Sequence, residues 1–107
     1  MEERITKEME GIQENSKDEI VLPVGKGTSA SSLKVAAVNY LKKYRAVHLD
    51  AIGVAANYIA TKAIIMIRAH LFTMGQELEF APIYKNFALK GSENRVKTGI
   101  RWTLRIK

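Results

Sequence analysis

From Arg95 to Lys107 the chain alternates without a break. Val96, Thr98, Ile100, Trp102, Leu104 and Ile106 hold the even positions; Arg95, Lys97, Gly99, Arg101, Thr103, Arg105 and Lys107 hold the odd ones. A side-chain period of two is that of a strand, whereas a helix would scatter both sets around its circumference. One face of this strand is apolar and the other carries five basic groups, so it belongs to a sheet with one face on a core and the other open. The preceding segment supplies a partner. Leu78 and Phe80 alternate in one phase, Phe87 and Leu89 in the other, and Lys90-Gly91-Ser92-Glu93-Asn94 has the residues of a hairpin tip. The change of phase surrounds Pro82 and predicts a bulge or bend there.

Upstream, two further strands each lead through glycine into a helix. Ile20-Val21-Leu22-Pro23-Val24 is short and β-rich, and its proline suits an edge or a strand start. Gly25-Lys26-Gly27-Thr28 turns the chain, and Thr28 or Ser29 can cap a helix whose apolar stripe is Leu33, Ala37, Tyr40, Leu41 and Tyr44. Lys34, Lys42, Lys43 and Arg45 fall outside that stripe and face water. A second strand spans Val47 to Ile52, and Gly53 turns it into a second helix ending near Phe72. A β-α-β succession implies parallel strands joined by a right-handed crossover. The predicted fold class is an α/β two-layer sandwich of β-α-β-α-β-β order, a four-stranded mixed sheet with two helices on one face. Its strands fall near 20–25, 47–52, 77–89 and 95–106.

The second helix is apolar around most of its circumference: Ile59, Ile64, Ile65, Met66, Ile67, Leu71 and Phe72 exceed what one sheet face can cover. Lys62 and Arg68 interrupt a run already too short for a membrane span, so a subunit interface, and hence a homodimer, is the expectation. The 107 residues suffice for one domain with one modest core. With no cysteine, disulfides, thiol catalysis and Cys-ligated zinc are excluded, and the isolated His48 and His70 offer little to any other metal. The chain suits a reducing cytoplasm, and its first residues contain no apolar run of the signal-peptide kind.

Charge is unevenly placed. Residues 1–19 hold three basic against seven acidic side chains, a net −4, and read as an acidic flexible leader. The remaining 88 residues, a single domain over 20–107, hold 14 basic against four acidic, a net +10. Such a body attracts polyanions, which makes nucleic acid the expected partner. The hairpin gathers Lys85, Lys90, Arg95 and Lys97 into a basic arm that can follow a phosphate backbone. Phe87 and Trp102 share parity with apolar neighbours and read as core; Tyr84 is open to either role. Gly25-Lys26-Gly27-Thr28-Ser29 joins a strand to a helix start, where backbone N–H groups favour an anion, but it lacks the full phosphate-loop pattern. His48 and Asp50 point to one side of a strand with no nucleophile tied to them, so no enzyme and no cofactor is expected. The rival reading is a scaffold that displays the basic hairpin to an acidic protein.

Ala51-Ile52-Gly53, followed by Lys62-Ala63 and then Arg68, resembles the stage V sporulation protein S family. That family's pattern has Ala-Ile-Gly closing the second strand, a Lys-Ala pair nine residues after the glycine, and an arginine closing the helix. The Ser/Lys-rich loop from Lys26 to Ser32, and Pro82 shortly before Tyr84, match it as well, and the likeness covers about Val21 to Ile106. The family is similar in fold to the Alba group of small chromatin and RNA-binding proteins. The resemblance implies a homodimer and nucleic-acid binding through the first loop, the start of the second helix and the long hairpin. By position these are Lys26, Lys62, Lys85, Lys90, Arg95 and Lys97.

Overall fold

A computed structural model of the chain describes residues 13–16, 18–88 and 96–107, with side chains from 18 onward. Its elements are β1 (Gln13–Ser16), β2 (Glu19–Val24), α1 (Ala30–Leu41), β3 (Ala46–Ala51), α2 (Val54–Thr73), β4 (Leu78–Ala88) and β5 (Val96–Ile106). The strands form one sheet in the order β1-β2-β3-β5-β4, in which β2 and β3 are parallel and every other pair is antiparallel. The four strands and two helices expected from the sequence are all present as an Alba-like two-layer sandwich. A short fifth strand, β1, adds to the edge from within the acidic leader.

The burial alternation sets which face is covered. Ile20, Leu22 and Val24 of β2, Val47, Leu49 and Ala51 of β3 and Leu104 of β5 join Leu33, Ala37 and Leu41 of α1 and Ala60, Ile64, Ile67 and Leu71 of α2 in one core. Three core positions of α2 are alanines, Ala56, Ala60 and Ala63, and their small side chains let this helix lie close to its neighbours. Ser29 caps α1, its Oγ accepting from the Ser32 N–H at 3.3 Å. α2 instead follows Gly53, whose φ of 91° lies in a region that strongly favours glycine. Pro23 sits near the end of β2, past the last residue that β1 reaches, so its missing N–H leaves no gap in the ladder.

Two sequence readings need correction. The β4–β5 ladder runs from Leu78↔Ile106 to Ala88↔Val96 with no shift of register, so Pro82 introduces no bulge. β4 is the sheet's edge, where a proline can turn its N–H-less side to solvent. The apolar phase changes for a different reason. The strands outrun the helix layer, so Ile83 and Phe87 lie on the open face while Leu78, Phe80 and Tyr84 lie on the helix side. Phe87 is therefore not core: it sits half-buried beside Lys85, on the face opposite to Trp102. Trp102 does pack against the core, and its Nε1–H donates to Asn57 Oδ1 at 3.2 Å. Among the described residues no helix is long and apolar enough to cross a membrane.

Candidate nucleic-acid interface

Because β2 and β3 are parallel, both of their C-terminal ends point to one end of the sheet. The turn after β2 and the Gly53 turn after β3 therefore lie side by side, two residues beyond the Pro23↔Asp50 and Val24↔Ala51 pairs. β3 ends at Ala51, which pairs with Ile100, and Ile100 pairs in turn with Tyr84. Past that point β4 and β5 continue alone as a two-stranded arm. Its described part, Lys85–Ala88 against Val96–Gly99, extends about 13 Å beyond the end of β3.

Gly99 makes the junction possible. A Cβ there would lie 2.6 Å from the Ala51 carbonyl oxygen, 2.8 Å from Phe87 Cε2 and 2.9 Å from Ile52 Cγ1. Only a hydrogen lets the arm pass the end of β3 while the Phe87 ring closes over it. Phe87 in turn places a lysine, with Lys85 Nζ 5.7 Å from its ring centroid, and Lys97 stands directly across the ladder. Thr98 Oγ1 donates to Asn86 Oδ1 at 2.8 Å on the other face of the arm and ties the two strands together.

The turn after β2 is closed on itself. The Thr28 N–H donates to Gly25 O at 3.0 Å and the Gly25 N–H to Thr28 Oγ1 at 2.9 Å, so these two amides are engaged within the turn. What the turn presents is the exposed Lys26 between its glycines. Lys62 is exposed on α2, about 12 Å along the helix from Val54. Of the six positions singled out, the structure thus gathers Lys26, Lys85 and Lys97 at one end, with Lys62 on the flank below. Lys90 and Arg95 lie outside the described residues.

The open face of the sheet is different in kind. Arg101 grips Asp50 with two hydrogen bonds, Nε to Oδ1 at 2.6 Å and Nη2 to Oδ2 at 2.8 Å, and this pairing holds the guanidinium more firmly protonated than usual. His48 is buried between Glu19 and Thr103: Nε2 lies 2.5 Å from Glu19 Oε1 and Nδ1 2.9 Å from Thr103 Oγ1. The hydrogen bond from His48 holds the Glu19 carboxyl below its ordinary pKa, opposed by desolvation and helped by the electrostatic influence of His48, Arg105 and Arg101. His48 and Asp50 share a face as the alternation requires, but each is engaged by a different partner, and together they clasp β2, β3 and β5. Among the described residues no three His, Cys, Asp or Glu side chains come together to hold a metal ion.

One feature had no reading in the sequence. α2 and the root of the arm enclose an open groove of about 530 Å³, lined by Gly53, Val54, Asn57, Tyr58, Thr61, Tyr84, Thr98, Gly99 and Ile100. The signal for it was weak: Val54, Tyr58, Thr61 and Ile65 recur at spacings of four, three and four, the period of a second helix stripe. Asn57 fixes the wall, its Nδ2 donating to Gly53 O at 2.9 Å and to Ala51 O at 3.3 Å.

A search of curated proteins finds no match for the chain. The family model described as Stage V sporulation protein S matches residues 20–107, the whole of the sequence after the acidic leader.

Proposed function

Because the chain belongs to the stage V sporulation protein S family, a sporulation-related group, we propose that it is a dimeric, cytoplasmic, non-enzymatic protein that binds DNA or RNA by the phosphate backbone. The observation that carries this reading is the state of the cations at the arm end. Among the described residues, Lys26, Lys62, Lys85 and Lys97 have no carboxylate within salt-bridge distance, while Arg45, Arg101 and Lys107 each have one. An unpaired lysine keeps its full field for an incoming phosphate. Lysines act as point charges, and no helix presents a row of Asn, Gln and Arg for reading base edges, so binding is sequence-tolerant.

Dimerisation is supported by the outer stripe of α2. Ile65 is 68% exposed and Phe72 81%, and both stand on the helix side opposite the buried Ala56–Ala63–Ile67 stripe. Exposed side chains of this size along one helix suit an isologous interface.

The test is a salt titration of binding to duplex DNA, single-stranded DNA and RNA. The logarithm of affinity is expected to fall linearly with the logarithm of salt for at least one of them. No binding to any of the three at low salt would reject the reading and favour a scaffold for an acidic protein.

A further inference from the structure

The groove between α2 and the arm has a composition that backbone contacts alone do not call for. None of its lining residues is charged, and two of them are tyrosines presented almost free of packing, Tyr84 at 84% and Tyr58 at 67% exposure. Cations stand beside this uncharged patch and on the far face of the arm that forms its wall. Lys62 follows Tyr58 by one helical turn and Lys26 lies in the turn beside Gly53, while Lys85 and Lys97, next to Tyr84 and Thr98 along the strands, project from the opposite face of the arm. A neutral aromatic cleft with lysines at its edge and on the far face of the arm is complementary to an uncharged planar group carried on a polyanion. The groove's size falls within the roughly 300 to 1,000 Å³ of small-molecule sites.

We infer that this groove is a stacking slot for unpaired nucleobases, with Tyr58 and Tyr84 as the stacking faces, so that the ligand class is single-stranded nucleic acid. The inference rests on the nucleic-acid reading above and narrows it. Bases in a duplex are stacked on one another and cannot offer a face to a tyrosine, whereas bases of a single strand can. A second copy of the chain is a poorer occupant at this end of α2, because an isologous contact centred here would bring its own Lys62 toward the same lysine. Ile65 and Phe72, farther along the helix, are the residues left for that contact.

The full-length protein is tested for binding to an oligothymidylate and to an abasic strand of equal length, across a range of salt. The expected result is a preference of the order of tenfold for the strand with bases. Tyr84→Ala and Tyr58→Ala should each reduce that preference, their double variant should abolish it, and Tyr84→Phe should keep it. The salt slope should be the same in all of them. Equal affinity of the unaltered protein for both strands overturns the slot and leaves the charge-led reading standing, whereas no binding to either strand removes both. A preference that survives in the double variant overturns the slot. So does its loss together with a fall in mass by light scattering, which would assign the groove to the dimer contact.

Discussion

The two ends of the sheet carry the same kind of charge and treat it in opposite ways. At the end where β2 and β3 begin, Arg45 stands 3.9 Å from Asp18 and Lys107 4.0 Å from Glu77, and Arg105 adds its field to Glu19. At the other end Lys26 and Lys97 face water and Lys85 lies half-buried over Phe87, none of them with a carboxylate partner among the described residues. Exposed pairs of this length add little stability, yet each largely cancels a cation as seen by a distant phosphate. Under the proposed reading the pairing state of a cation weighs alongside net charge, and exposed Lys42 and Arg68, also without a carboxylate partner among the described residues, share this property with the arm end. The row of basic residues on β5 makes the same point within one strand, since Lys97 is free, Arg101 is held by Asp50 and Lys107 is loosely paired.

The largest effect is expected at the junction that separates the ends. Gly99→Ala would push a methyl group against the Ala51 carbonyl, so a loss of about 2 to 3 kcal/mol in a urea titration is expected. A loss below about 0.5 kcal/mol would mean that the arm passes β3 with more room than the contacts allow. Asp50→Ala comes next. It leaves Arg101 half-buried and unpaired, at a stability cost of about 1 to 3 kcal/mol. It also converts a paired cation into a free one, so nucleic-acid affinity at low salt should rise although the fold is weaker. A fall in affinity at temperatures where the variant is folded would break the link between pairing and binding.

Ile65→Asp sharpens the comparison along α2. The side chain is 68% exposed, so the change should alter monomer stability by less than about 0.5 kcal/mol and should halve the mass seen by light scattering. Unfolding instead would place Ile65 in the intramolecular core. The smallest effect concerns acid. The folded pKa of Glu19 is held below its ordinary value of 4.5, so its contribution to stability is complete above that value and is lost as pH falls through the depressed one. Glu19→Gln should flatten the acid limb of the stability curve, and an unchanged limb would show that the His48 contact carries no such linkage.

Much of this could be read from the chain. The unbroken alternation from Val96 to Ile106 specified β5 and its two faces, and the Leu33–Ala37–Tyr40–Leu41 stripe specified how α1 packs, because each pattern reports directly which face is buried. The parts that stayed hidden depend on neighbours distant in sequence. Asp50 and Arg101 are 51 residues apart and meet only because β3 lies beside β5. Gly99 looked like a gap in a basic row, and only its crossing of the β3 end gives it a purpose. β1 left no trace either, since Gln13-Glu14-Asn15-Ser16 has no apolar alternation and an edge strand can be held by backbone pairing. Around Pro82 the apolar phase misled because it reports burial, and the arm has no single buried face.

The claim that unpaired cations at the arm end make the contact is tested most directly by comparing salt slopes for two sets of changes on one single-stranded ligand. Lys26, Lys85 and Lys97 all changed to Ala should reduce the slope of log affinity against log salt by about 2 to 3 units, since each phosphate contact accounts for roughly 0.7 to 0.9. Arg45 and Lys107 changed to Ala together should leave it nearly unchanged. Equal losses from the two sets, or a larger loss from the paired end, would contradict the account.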